Sequence, residues 1–306
     1  MRTSLIRTRP GSFVVAAAAI LVVAAALLAG CSKAPVTGRK QFILISPQQE
    51  AQMGVVAFAE ILKKERVSTD PRYTAAVGRV VERLSRATGG GGYRWEYKVI
   101  DNDEEINAFA LPGGKIGVYT GILPVAATDA GLATVLGHEV AHVTARHGAE
   151  RVTTGLLAQL GAVGLNLALR NKDPRLLNIV NQAYGLGITV GAILPFSRTQ
   201  EAEADHIGLI YMARAGYNPR EALAFWDRMH EATRNLPRPP EFLSTHPDYN
   251  TRRTNLLAWQ AEAMRYYMRA PKAPNLPIVA PGASNAPTAP PHETRFAPRP
   301  QRLARR

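Results

Sequence analysis

The chain of 306 residues has a single cysteine, Cys31. That excludes an intrachain disulfide and any metal site built on several thiolates. Long apolar runs are also scarce. Beyond the first thirty residues the most apolar stretches are 155–169 and 185–194. Both are shorter than the roughly 18–20 residues that cross a bilayer. They read as helices packed into the core or turned toward a membrane face near a site. There is no internal repeat, which excludes a tetratricopeptide-type extension. Positive charge is not concentrated in the body either. Of the formal +13, residues 1–30 carry +3 and residues 271–306 carry +5, with six basic residues against Glu293, leaving +5 for residues 31–270. A nucleic-acid-binding domain would hold its charge within the fold, so no nucleic-acid partner is expected. Attraction of the tail to acidic lipid or polymer is the simpler reading.

What is present begins with a targeting pattern. Arg2, Arg7 and Arg9 precede an almost wholly apolar run over residues 13–29, followed by Leu28-Ala29-Gly30-Cys31. This resembles a bacterial lipoprotein signal, in which cleavage leaves the cysteine as a lipid-modified first residue. The other reading is an uncleaved membrane helix, since the run is just long enough to span. Either way the rest of the chain lies across the membrane from the cytoplasm. Ser32, rather than Asp, follows the cysteine. By analogy with lipoproteins this favours the periplasmic face of the outer membrane. The expected organisation is a signal peptide over 1–30, a lipidated linker over 31–46, a catalytic domain over 47–270 and a disordered tail over 271–306. Nine prolines among the 36 residues of that tail, and the loss of apolar periodicity, carry the last assignment.

Within the body, residues 47–67 and 71–88 have helical spacing with Pro47 and Pro71 near their starts. Four glycines, 89–92, end the second helix. Residues 93–100 alternate as a strand, with Tyr93, Trp95, Tyr97 and Val99 on one face. Residues 107–111 and 115–120 flank Pro112-Gly113-Gly114, a hairpin turn. Further helices are expected over 129–147, 198–214, 219–234 and 251–269.

The chemistry is concentrated in His138-Glu139-Val140-Ala141-His142. On a helix the two histidines stand about 40° apart and one turn along, so both imidazoles reach one ion. Glu139 lies about 100° from His138, close enough to activate water beside the metal without ligating it. A catalytic zinc needs a third protein ligand and an open position. Residues 197–205 offer Glu201 as that ligand and, four residues on, Asp205 to fix a ligating histidine through its ring N–H. Glu203 is turned away from that face. His147, about 180° around a continuous helix from His138, reads as structural. Gly148 and Ala145 stand where a metzincin would have its third histidine and its glycine.

These residues, with the Asn107-Ala108-Phe109-Ala110-Leu111-Pro112-Gly113-Gly114 stretch and His246-Pro247 followed by Arg252, resemble peptidase family M48 over roughly residues 36–260. The likeness extends to its BepA-like and LoiP-like periplasmic lipoproteins, here without a repeat domain. The resemblance implies a gluzincin-like α+β zincin fold, mainly helical with a small sheet. It also implies one catalytic zinc and endopeptidase action on misfolded or misassembled envelope proteins, with envelope assembly machinery as a further partner. His246 and Arg252 become candidates for catalytic roles as donors to the oxyanion. His246 also reads as a latch on the open metal position, or as purely structural. Residues 107–110 would offer substrate an edge strand, although Phe109 reads equally as a core residue. A competing function keeps the same fold as a chaperone-like assembly factor with a structural zinc. Another makes the basic tail of an envelope tether the working part.

Overall fold

The computed structural model describes residues 30–90, 92–169, 198–240, 242, 243, 246 and 249–278. Residues 1–29 of the expected signal peptide, the apolar stretch 185–194 and the tail beyond 278 lie outside the described residues.

The helices begin where local chemistry starts them. Helix α1 (Pro47–Leu62) opens with a capping box: Ser46 Oγ accepts from Gln49 N, and Gln49 accepts in return from Ser46 N. Helix α2 (Pro71–Ala87) is capped by Asp70. It buries Ala76, Val77, Val80, Val81 and Leu84, a single stripe at helical spacing. Strands β3 (Glu96–Ile100), β4 (Ala108–Leu111) and β5 (Lys115–Tyr119) form a sheet in the order β3-β5-β4. β3 runs parallel to β5, and β4 pairs antiparallel with it, Ala108 opposite Val118. The turn between β4 and β5 needs Gly113 and Gly114 at φ +79° and +93°. β4 is therefore an edge.

After the short helix α3 (Leu123–Ala126) comes the central one, α4 (Asp129–Thr144), capped by Thr128 and buried over nearly its whole length. Helices α5 (His147–Leu169), α6 (Arg198–Arg214), α7 (Glu221–Thr233) and α8 (Tyr249–Arg269) complete the α+β architecture. Among the described residues no helix is long and apolar enough to cross a membrane.

Two boundaries differ from expectation. Residues 31–46, read as a linker, carry the antiparallel hairpin of β1 (Cys31–Lys33) and β2 (Lys40–Phe42). It is fastened to the body by Gln41, whose side-chain amide donates to Ala145 O at 2.7 Å, and by Arg39. The first eight residues of the supposed disordered tail are also ordered. Leu276 O accepts from Asp129 N at 3.0 Å, Asn275 Oδ1 from Ala130 N at 2.9 Å, and Ile278 N donates to Ala127 O at 3.0 Å. The buried N-terminus of α4 has N–H groups with no intrahelical acceptor. The tail supplies acceptors, a role that proline content does not reveal.

Candidate metal centre and active site

Helices α4 and α6 cross glycine on glycine. A Cβ on Gly208 would lie 2.8 Å from Gly137 C and 2.8 Å from His138 N, so the two backbones touch. That approach sets Glu201 and Asp205 of α6 beside His138 and His142 of α4. His138 Nε2 stands 3.1 Å from His142 Nε2, and the two nitrogens lie 3.4 and 3.3 Å from the oxygens of Glu201. His246 fills the remaining corner, with Nδ1 3.1 Å from His138 Nε2 and 2.8 Å from Glu201 Oε2. Among the described residues these four buried side chains each place one ligand atom within 4.8 Å of the others. Zinc bonds of about 2.0–2.1 Å put tetrahedral ligand atoms about 3.3 Å apart, so the spacing of this donor set fits one zinc ion.

Glu139 is positioned differently. Its Oε2 accepts from Ala110 N of β4 at 3.3 Å, while Oε1 is buried without a hydrogen-bond partner and lies 3.5 Å from His246 Nε2. A buried carboxylate oxygen left in this way is costly unless the chemistry uses it. Burial raises the pKa of Glu139, which suits a group that takes and returns a proton. Burial alone would raise Glu201 too, but hydrogen bonds from His138, His142 and His246 hold it well below the carboxylate range. His142 is pushed well below the ordinary imidazole range by burial.

Each helix histidine is gripped from behind. His138 Nδ1 meets Asp205 Oδ1 at 2.8 Å. Asp205 Oδ2 accepts from Arg252 Nε at 2.6 Å, and Arg252 Nη2 donates to Glu201 Oε2 at 2.9 Å. Arg252 Nη1 donates to His246 O at 3.3 Å, and the guanidinium lies 3.9 Å from the Trp226 ring centroid. Burial lowers the basicity of His138, but the carboxylates of Asp205 and Glu201 outweigh it and carry its pKa up to about 9.

The comparisons with known proteins agree with this geometry. A family model described as Peptidase family M48 matches residues 71–260, more than half of the chain. The chain belongs to peptidase family M48. Mitochondrial metalloendopeptidase OMA1 of Schizosaccharomyces pombe is 35% identical over 75% of this chain and 66% of its own length. The OMA1 of Saccharomyces cerevisiae is 33% identical over 79% and 75%. The Beta-barrel assembly-enhancing protease of Escherichia coli K12 is 29% identical over 76% of this chain and 48% of its own. The chain thus spans about two thirds, three quarters and half of these relatives. As an M48 member it is a zinc metallopeptidase, and His138, His142, Glu201 and His246 form a cluster suited to the ion.

Not every residue of this M48 peptidase stands where the sequence reading put it. Arg252, expected as an oxyanion donor, has all three guanidinium nitrogens engaged with Asp205, Glu201 and His246 O. Phe109 packs over Gly117, with Phe58 and Tyr119 as ring neighbours 6.4 and 6.3 Å away, so its side chain belongs to the sheet face. Asn107 is buried, and its carbonyl accepts from Tyr119 N. Ala108 and Ala110 lie on edge strand β4, the latter touching Glu139. Cys31 is exposed on β1.

His147 lies outside the donor cluster, as expected, but points where an unbroken helix would not send it. The helix does not run on from α4: Arg146 adopts φ +56°, its side chain bonded to Glu50 and to Ile45 O, and α5 starts afresh. The 180° projection assumed an unbroken helix. The break turns His147 back, placing its Nδ1 2.9 Å from His142 Nδ1 and its Nε2 3.0 Å from Glu203 Oε2. A histidine five residues after the motif, with a second glutamate two residues after Glu201, was the available signal.

Proposed function

We propose that this M48 metallopeptidase is an endopeptidase of the bacterial cell envelope. It would be anchored by lipid on Cys31 at the inner leaflet of the outer membrane and would cut misfolded or misassembled envelope proteins. Arg2, Arg7 and Arg9, the apolar run and Leu28-Ala29-Gly30-Cys31 support the address. The name of the E. coli relative, a beta-barrel assembly-enhancing protease, supports the substrate class and assembly machinery as a partner.

In this reading His138, His142 and Glu201 hold the metal, and Asp205 and Arg252 keep His138 and Glu201 oriented. Zinc, when bound, supplies Lewis-acid polarisation of the scissile carbonyl and acidifies water. Glu139 takes the proton of the attacking water on Oε1 and delivers it to the leaving amine. An extended substrate adds to the edge of β4, where backbone pairing tolerates many sequences. The hydrogen bond from Ala110 N keeps Glu139 level with that strand. The observation that carries the proposal is the buried, unpartnered Oε1 of Glu139 beside four clustered donors. A structural zinc site in a chaperone-like factor has no use for such a carboxylate. In Glu139→Gln, casein cleavage should fall about 10²–10⁴-fold while zinc, measured by metal analysis, stays at the parent level. Retained cleavage would sink the proposal.

His246 lies on the cluster rather than beside it, 2.8 Å from Glu201. We therefore read it as a latch that takes the corner a substrate carbonyl needs. His246→Ala should cleave casein faster than the parent. Slower cleavage would transfer His246 to transition-state stabilisation, and unchanged cleavage would leave it structural.

A further inference from the structure

His138 is held by an aspartate, an arrangement expected of a metal ligand. Among the described residues the outer nitrogen of His142 meets another imidazole rather than a carboxylate. That imidazole is His147, and behind His147 stands Glu203. Two ring nitrogens 2.9 Å apart need one proton between them. With His142 Nε2 turned to the metal cluster, the His142 proton belongs on Nδ1, which donates to His147 Nδ1. His147 then donates from Nε2 to Glu203 Oε2 at 3.0 Å. Both tautomers are thereby defined, and the chain of donors ends on a carboxylate. His147 is fully buried, so water does not substitute for either partner.

Glu203 is fixed from outside the body. Thr37 Oγ1 donates to its Oε1, and Arg39 Nε donates to Oε2 at 2.7 Å. Both residues lie between β1 and β2, in the turn that follows Cys31. Arg39 is locked in turn by a bidentate pair with Glu150, at 2.7 and 2.8 Å.

We infer that His147 and Glu203 are positioning residues for His142, and that Thr37 and Arg39 of the N-terminal hairpin complete the device, so that hairpin docking sets how tightly zinc is held. The inference rests on reading His142 as a zinc ligand. Removing a partner of this kind typically costs about 10–100-fold in metal affinity.

The test is zinc affinity of the full chain, measured by competition with a chromophoric chelator, with circular dichroism confirming fold. His147→Leu removes the acceptor at similar volume and should weaken binding about 10–100-fold. His147→Gln, whose amide can accept from His142 and donate to Glu203, should recover most of that loss, which a role in packing alone would not require. A Thr37→Val, Arg39→Met pair should weaken zinc binding by a smaller factor without touching either histidine. His142→Ala separates the two levels of argument. Full zinc affinity in His142→Ala would overturn the ligand assignment beneath. Lost affinity there, with His147→Leu binding zinc like the parent, would overturn the positioning role alone. Should His147→Leu fail to fold, ¹⁵N-histidine NMR of the zinc-loaded parent decides. A proton on His142 Nδ1 shared with His147 supports the inference, and a bare Nδ1 overturns it.

Discussion

The two histidines of α4 sit one turn apart and share one ion's worth of space, yet they are supported by different parts of the molecule. Behind His138 are Asp205, Arg252 and Trp226, which belong to α6, α8 and α7 and are all buried. Behind His142 the contacts run outward through His147 and Glu203 to Thr37 and Arg39. There Arg39 and Glu150 keep 27% and 18% of their side-chain surface in solvent. The inner support is part of the folding core, so losing it costs stability and metal together. The outer one is an attached strap, whose loss should loosen the metal grip with little effect on the rest of the fold.

The inner side should fail hardest. Arg252→Leu removes the cation that Asp205 and Glu201 both face. Breaking one member of a buried ionic group typically costs about 3–5 kcal/mol, because the remaining charges stay buried without compensation. Urea unfolding of the chelated protein measures this. A loss below about 1 kcal/mol, the size of a surface pair, would erase the contrast between the two sides. Gly208→Ala comes next. Its new methyl would press on Gly137 C and His138 N, backbone atoms of a packed helix that cannot swing aside. Overpacking of this kind costs about 1–3 kcal/mol. It would also move Glu201 away from the histidines, so zinc affinity should drop with stability. Unchanged zinc affinity in a destabilised Gly208→Ala would show that the crossing serves packing only.

How much of this was readable beforehand follows from which interactions are local. The motif helix, the Glu201 and Asp205 pair, the β4–β5 hairpin and the metal itself were legible, because helical and strand periods place neighbours three, four or two residues apart on one face. The direction of Glu203 away from Glu201 was readable for the same reason, though its partner was not. The direction of His147 was lost because a non-glycine residue, Arg146, adopts a left-handed φ enforced by Glu50 and Ile45, contacts about a hundred residues away in the chain. The ordering of residues 271–278 over α4 was lost because composition records what a segment cannot bury, not which unsatisfied N–H groups it can meet. Arg252 was named as an oxyanion donor, whereas its direction depends on Trp226 and on two carboxylates from another helix.

The smallest expected effect belongs to the outer side and is set by pH. Burial would raise the pKa of Glu150, but hydrogen bonds from Arg39 and Gln200 prevail and hold it below its ordinary value of 4.5. A carboxyl group with a depressed folded pKa adds stability above its unfolded pKa and loses it as pH falls through the folded one. The hairpin clamp should therefore be intact from neutral pH down to about 4.5 and weaken below that, with the core still folded. Because both partners are partly solvated, the contribution is about 1 kcal/mol or less. Amide resonances of Thr37 and Arg39 should shift toward unfolded positions below that pH, ahead of those of the α4 core. Hairpin resonances that stay native until α4 itself unfolds would show that Arg39 and Glu150 do not fasten the hairpin independently, and that the outer support is as integral to the fold as the inner one.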